Sequence, residues 1–236
     1  MKTLAVILHY NTKHYTDRSY RQLKPYENQG YNLFILDNGS QIKPDNPSVR
    51  VDQNVFFGGG LNLAFQWVLD NPEYDSLLFL NNDLVIHGDG FIKTLRKYLP
   101  EYKIISPSVI QPEEKQCYWP TMNNWYSDSI RQVPWVDFQC PLIHRDFIEH
   151  IKQYDEDLMY GWGNDVYSGY ICNQMGWKVG VLDLVNIVHL GSATIKETNF
   201  SSYNYLAEKG MYKYFDKINL LHILNQYREL AKNYTL

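Results

Sequence analysis

Unbroken apolar runs recur along the first half of the chain, and each ends in small polar side chains. Leu4-Ala5-Val6-Ile7-Leu8 runs into His9-Tyr10-Asn11, Leu33-Phe34-Ile35-Leu36 into Asp37-Asn38-Gly39-Ser40, and Leu77-Leu78-Phe79-Leu80 into Asn81-Asn82-Asp83. Runs of this kind predict strands buried on both faces, as in a parallel sheet covered by helices. A short strand is expected at 48–51, and Ile104-Ile105 opens another. Helical patterns fall between them. A polar segment runs from Asp17, a plausible N-cap, toward Pro25; Leu61, Ala64, Phe65, Val68 and Leu69 recur at helical spacing before Pro72; and Phe91, Leu95, Tyr98 and Leu99 follow Gly90 and stop at Pro100. Strand and helix alternate, which predicts an α/β fold with a doubly wound, mainly parallel sheet and right-handed crossovers.

The rhythm breaks between Gln111 and Trp135, where Trp119, Trp125, Trp135 and several prolines crowd an irregular stretch. A long loop of this sort is usually a lid or binding loop, and its tryptophans argue against disorder. Strand resumes at 136–139, short helices are expected at 145–151 and 166–175, and 178–182 and 185–189 read as two late strands. Beyond Asn199 come two helices, the second carrying Ile218, Leu221, Leu224, Tyr227, Leu230 and Ala231. The expected organisation is one domain over 1–198 and a C-terminal helical extension over 199–236.

Composition narrows the function. The chain has 236 residues and a net charge of -4 with no basic block, which disfavours nucleic acid as a partner. No apolar run approaches the roughly 20 residues that span a bilayer. Residues 1–8 read as a first strand, too short for a signal peptide. Cys117, Cys140 and Cys172 are widely spaced and form no CxxC pair, so reduced thiols and a cytoplasmic location are expected. The glycosylation-like triplets at Asn199 and Asn233 then carry no meaning. Aromatic content is 15%, and amphipathic rings of this kind suit sugar surfaces as well as cores.

Open α/β sheets bind ligands at the carboxyl ends of their strands, so Asp37 and Asp83 should line one edge. Oxygen ligands there suit Mg²⁺ or Mn²⁺ carrying a phosphorylated substrate, although Asn and Asp also end strands simply as turn formers. Asp165 follows a Gly- and Trp-containing loop and opens a helix, either as a general base in a cleft or as an acid favoured by the helix dipole. His189 ends an apolar run; it is a structural histidine or, if it meets Asp83 in space, a metal ligand. Gly58-Gly59-Gly60 precede a helix and could present amides to a diphosphate. They follow the third strand, and the GxGxxG of a dinucleotide fold is missing after strand one, which disfavours a nicotinamide dehydrogenase.

Together these blocks resemble the family 2 inverting glycosyltransferases of GT-A fold, especially rhamnosyl- and galactosyltransferase-like members, over roughly residues 4–192. The resemblance implies nucleotide and donor contacts at His9, Asn11, Asp37, Asn54, Gly59, Gly60, Asn62, Asn81 and Asn82. It implies a Mn²⁺ or Mg²⁺ site at Asp83 and His189, acceptor contacts at Trp135, Trp162 and Asn164, and Asp165 as general base. The expected substrates are a UDP- or dTDP-sugar donor and a glycan or glycolipid acceptor. The chain departs from the family pattern at Asn81, where the first DxD carboxylate is usual, and at Asn164, where the first member of an acidic pair is usual. Those departures keep open a nucleotide-sugar-binding homologue without catalysis. A carbohydrate-binding module would explain the aromatics but not the strand pattern. A metal-dependent nucleotidyltransferase would also use Asp83 but expects a glycine- and lysine-rich phosphate loop after strand one, which is missing here. The helical extension is expected to pack on the catalytic domain, on a partner in a homodimer or on the inner face of a membrane.

Overall fold

A computed structural model describes residues 2–86, 90–110, 119–190 and 202–234. Cys117 and the 198/199 boundary lie outside the described residues, as do residues 191 and 192 at the end of the stretch that carries the family resemblance. The first half runs β1 (Lys2–His9), α1 (Lys13–Leu23), a 3₁₀ turn at Lys24–Gln29, β2 (Tyr31–Asn38), β3 (Val49–Val51), α2 (Phe56–Asp70), β4 (Tyr74–Asn81), β5 (Leu84–Ile86), α3 (Phe91–Arg96) and β6 (Tyr102–Val109). The second half runs β7 (Ile130–Gln132), β8 (Leu142–His144), α4 (Arg145–Ile151), α5 (Asn164–Gln174) and β9 (Lys178–His189), then α6 (Tyr203–Lys217) and α7 (Leu221–Lys232).

Among the described residues the nine strands form a single sheet in the order β3-β2-β1-β4-β8-β6-β9-β5, with β7 on β9. Strands β1, β2, β3 and β4 are parallel, and β6 and β9 are parallel to each other; β5, β7 and β8 run against their neighbours. Leu4, Ala5, Val6 and Ile7 of β1 and Leu77, Leu78, Phe79 and Leu80 of β4 are fully buried, which is why these runs carry no polar alternation. The chain adds strands to one side of β1 and then crosses to its other side at β4. With the right-handed crossovers that such connections adopt, α1 and α2 fall on opposite faces, and the carboxyl ends of β1 and β4 are where open α/β sheets of this order bind ligands.

Several elements differ from expectation: β5 and β8 are added strands, and β7 lies within the stretch expected to be irregular. Residues 136–139 are not a strand. They lie along β4, with the amides of Phe79 and Asn81 donating to Pro141 O (3.1 Å) and Gln139 O (3.0 Å), but Gln139 N turns back to Asp137 O and Pro141 has no amide to continue the ladder. The two late strands are one. Asp183 stays within β9 because Arg131 on the facing β7 pairs with both its carboxylate oxygens, at 2.9 and 3.0 Å. Helix α1 begins after Thr12 instead of at Asp17. Helix α2 begins at Phe56, which places Gly58-Gly59-Gly60 inside its first turns instead of in a loop before it.

The two C-terminal helices pack on the rest of the chain. Helix α6 lies against the 3₁₀ turn Glu156–Leu158, and α7 lies against α5. Trp135, fully buried, donates its indole N–H to Tyr227 O at 3.0 Å and meets the Trp119 ring edge-on, so it offers no face to an acceptor sugar. Its role as an acceptor contact is thereby corrected to a core residue that ties α7 down. Trp135→Ala is expected to cost ~3–5 kcal/mol by leaving a cavity, lowering the melting temperature by roughly 10 °C. Thermal unfolding showing almost no shift would remove Trp135 from the core of the fold. No described helix is long and apolar enough to cross a membrane.

Candidate active site

Most polar groups at the ends of β1 and β2 hold the loops in shape. His9 is fully buried; its Nδ1 lies 2.7 Å from Thr16 Oγ1 and its Nε2 2.8 Å from Ile42 O. With Nε2 donating to that carbonyl, Nδ1 accepts from the Thr16 hydroxyl, and burial lowers the pKa so that the ring stays neutral. Asn82 extends this network by donating its side-chain amide to Thr12 (2.6 Å) and Thr16 (3.0 Å). Asn11 sits in the left-handed region at φ 59°, and its Oδ1 accepts from the amides of Gln41 and Ile42. Asp37 is fully buried, paired with Arg50 and accepting from Ser40 N. Asn54 accepts from Phe56 N at 2.8 Å and from the Asn38 side chain at 2.9 Å. These residues shape the strand ends.

Helix α2 serves the opposite wall. Gly58 N donates to Met159 O at 2.7 Å, and a Cβ at position 58 would run into Leu158 O and lie 2.9 Å from Met159 Cα. A Cβ on Gly60 would lie 2.7 Å from the Leu8 side chain, whereas one on Gly59 would meet only Val55 of the same helix start. Asn62 exchanges two hydrogen bonds with the Tyr154 backbone, at 2.8 and 3.0 Å. Gly58 and Asn62 therefore clamp α2 to the segment leading into α5. Gly58→Ala is expected to displace that segment and to cost activity by more than stability, about tenfold or more for a shift near 1 Å. Unchanged turnover in this variant would show that the clamp does not position the site.

The carboxyl end of β4 carries the charged groups. Antiparallel pairing of Leu84 with His189 brings the end of β9 beside Asp83. Asp83 Oδ1 lies 3.2 Å from His189 Nε2, and Leu190 N donates to Asp83 O at 3.1 Å. Asp83 is buried and His189 partly so. Two donors at that separation match neighbouring corners of an octahedral ion, which are about 3 Å apart for bonds of about 2.1 Å. A carboxylate oxygen and an imidazole nitrogen are also the donor types that Mn²⁺ accepts. No group of three such side chains occurs among the described residues, so further ligands would come from a diphosphate and water. Asn81, partly exposed, spends its backbone amide on Gln139 O.

Asp165 opens α5 after Gly163, which sits at φ 91° and whose missing Cβ leaves room for Met211 and Leu158. Its Oδ1 accepts from Val166 N at 2.8 Å. Burial, and then the neighbouring Asp137 carboxylate, push its pKa up to about 7. Asp137 is itself raised by burial, opposed by the His189 charge. So Asp137 lies within charge range of both His189 and Asp165, and it joins the Asp83–His189 pair to the candidate base. Sequence reasoning missed it. Val136-Asp137-Phe138-Gln139 alternates apolar and polar residues, which read as a strand, yet the same alternation placed Asp137 and Gln139 on one polar face. Asn164 beside Asp165 is fully buried, and Trp162 is 38% exposed, with a ring face able to stack on a ligand.

No protein-family model matches the chain, and comparison with curated proteins gave no match. Solved structures do match. GalNAc-T7, crystallised with UDP, GalNAc and Mn²⁺, aligns with a TM-score of 0.60 and 14% identity over 80% of this chain and 44% of its own. TarS of S. aureus aligns at 0.56 and 13% identity over 84% of this chain and 38% of its own. A197 from STIV aligns at 0.49 and 17% identity over 80% of this chain and 86% of its own. The chain thus spans less than half the length of GalNAc-T7 and of TarS. The fold is the α/β GT-A fold of those two glycosyltransferases, a mixed nine-stranded sheet with helices on its faces.

Proposed function

We propose that this protein is an inverting glycosyltransferase that moves a sugar from a nucleoside-diphosphate sugar, UDP or dTDP favoured, to a hydroxyl of a glycan or glycolipid. The observation that carries the reading is the GT-A fold with the Asp83–His189 pair, 3.2 Å apart, at the end of β4; burial and the Asp137 carboxylate push the pKa of Asp165 up to about 7. A base of that strength is partly ionised at neutral pH and strong enough to take a hydroxyl proton as the bond forms. The acceptor oxygen attacks the anomeric carbon, the bond to the diphosphate breaks with its electron pair, and Asp165 keeps the proton. Asp83 and His189 would hold Mn²⁺ or Mg²⁺, which when bound neutralises charge on the diphosphate. GalNAc-T7, which shares the fold, was crystallised with UDP and Mn²⁺, in keeping with this chemistry. Trp162 supplies a stacking face on the acceptor side, and Asp37 remains a candidate for the base of the nucleotide if Arg50 gives way to it.

The test is a thermal-shift panel of UDP-, dTDP- and GDP-sugars with and without Mn²⁺. A ligand that binds the folded state at 100 times its Kd adds about 2.7 kcal/mol, so the donor should stand out by several degrees. No shift with any nucleotide sugar would remove the proposal. A shift without nucleotide release in the presence of acceptors would favour the second reading, a binding homologue, which Asn81 and Asn164 at the usually acidic positions support.

A further inference from the structure

Buried polar atoms nearly always find a hydrogen-bond partner, because leaving one unpaired forfeits its hydration without return. Among the described residues the exceptions include Gln139 Oε1 and both polar atoms of the Asn164 side chain. Gln139 is 6% exposed and Asn164 not at all, so neither is a surface side chain that water simply solvates. Their places in the fold are informative. Gln139 O accepts from Asn81 N at the end of β4, and Gln139 Nε2 donates to Asp137 Oδ2 at 2.8 Å. The amide nitrogen is thereby committed, which leaves the amide oxygen as an acceptor with no donor. Asp137 is half-buried and adds carboxylate acceptors beside it.

In an in-line displacement the donor sugar must lie between the group that holds the diphosphate and the base. Here those are the Asp83–His189 pair and Asp165, and Asp137 is within charge range of both ends. We infer that Asp137 and Gln139 are the specificity-determining residues of the donor site, together accepting hydrogen bonds from two neighbouring hydroxyls of the sugar. The inference rests on the glycosyltransferase reading and sharpens it. Two adjacent acceptors, one anchored by the other, require two adjacent O–H donors, so the transferred sugar carries a free vicinal diol at the positions that face them. A sugar with one of those hydroxyls removed or acylated leaves a buried acceptor unpaired and is rejected. Asn164, beside Asp165, is a second fully buried side chain whose polar atoms are left open.

Calorimetry in the presence of Mn²⁺ separates the parts. Wild type is titrated with UDP, dTDP and GDP and with UDP-galactose, dTDP-rhamnose and GDP-mannose, and the best pair is repeated on Gln139→Met. The expected result is that the variant binds the free diphosphate within about twofold of wild type, while the intact donor loses at least about tenfold in affinity. Equal binding of the intact donor by wild type and variant would overturn the inference. Wild-type binding of the diphosphate with no gain from the sugar would also overturn it and leave the nucleotide reading standing. Failure of every nucleotide to bind would remove both. Should Gln139→Met not fold, monodeoxy forms of the best donor on wild type give the same answer. Loss of affinity at two neighbouring positions supports the inference, and equal binding of every deoxy form sinks it.

Discussion

Asp165→Asn is expected to abolish transfer, to leave donor binding intact and to make the protein more stable at pH 8. The first effect follows from the loss of the proton acceptor, worth about 10²–10⁴ in rate for a positioned acid or base. The second follows because, in the proposed mechanism, Asp83 and His189 and not Asp165 would hold the diphosphate end. The third is a matter of linkage. In the unfolded chain this carboxyl titrates near 4, whereas burial and Asp137 raise it to about 7 in the fold. Between those values the folded protein binds the extra proton, so stability falls as pH rises through the window. Above pH 7 the wild type bears the whole cost of an ionised carboxylate in that place, and the amide does not. After discounting for its partial exposure the difference is on the order of 1–3 kcal/mol, or several degrees in melting temperature. At pH 4 the gain should vanish. Wild-type transfer should fall about tenfold per pH unit below pH 7, as the base is protonated. Near-normal turnover in the variant would end the assignment of Asp165 as base, and a variant no more stable at pH 8 would show that its environment does not disfavour the charge.

Asp83→Asn carries the second large effect. Mn²⁺ is expected to tighten binding of the nucleoside diphosphate to the wild type, and the variant should lose about 10–100-fold of that gain. His189→Ala should do the same, because the two side chains, 3.2 Å apart, would share one ion. Asn81→Asp supplies the opposite change, adding a second carboxylate at the end of β4, and should strengthen the dependence. Isothermal titration with and without Mn²⁺ reads all three. If Asp83→Asn kept the full metal response, the pair would be an ordinary ion pair closing β5 onto β9.

Much of the fold was legible because its signals are local. Fully buried parallel strands need continuous apolar runs, and β1, β2 and β4 announce themselves in that way. The polar strand ends were legible for the same reason, since the polarity changes abruptly at Asp37 and Asp83. Asp165 could be singled out by its place after Gly163, but nothing local told a helix-opening acid from a base. The glycine triplet misled, because a close approach between α2 and residues 158–159 looks in sequence like a phosphate loop. Trp135 misled because an aromatic ring is equally suited to a core and to a sugar.

What the sequence by itself determined is therefore the alternation of strand and helix, the sheet edge that gathers the polar strand ends and the residue types available there. These depend on burial patterns with periods of a few residues, which a chain shows before it folds. Only the tertiary structure decided which of those side chains meet. The β5–β9 pairing joins Asp83 to His189 across more than 100 residues of chain. The turn at 137–139 lays Asp137 and Gln139 against β4, and the packing of α2 and α6 holds the segment before Asp165 in place. A pKa of about 7 belongs to that assembly, because desolvation and a neighbouring charge exist only once distant segments enclose the carboxylate.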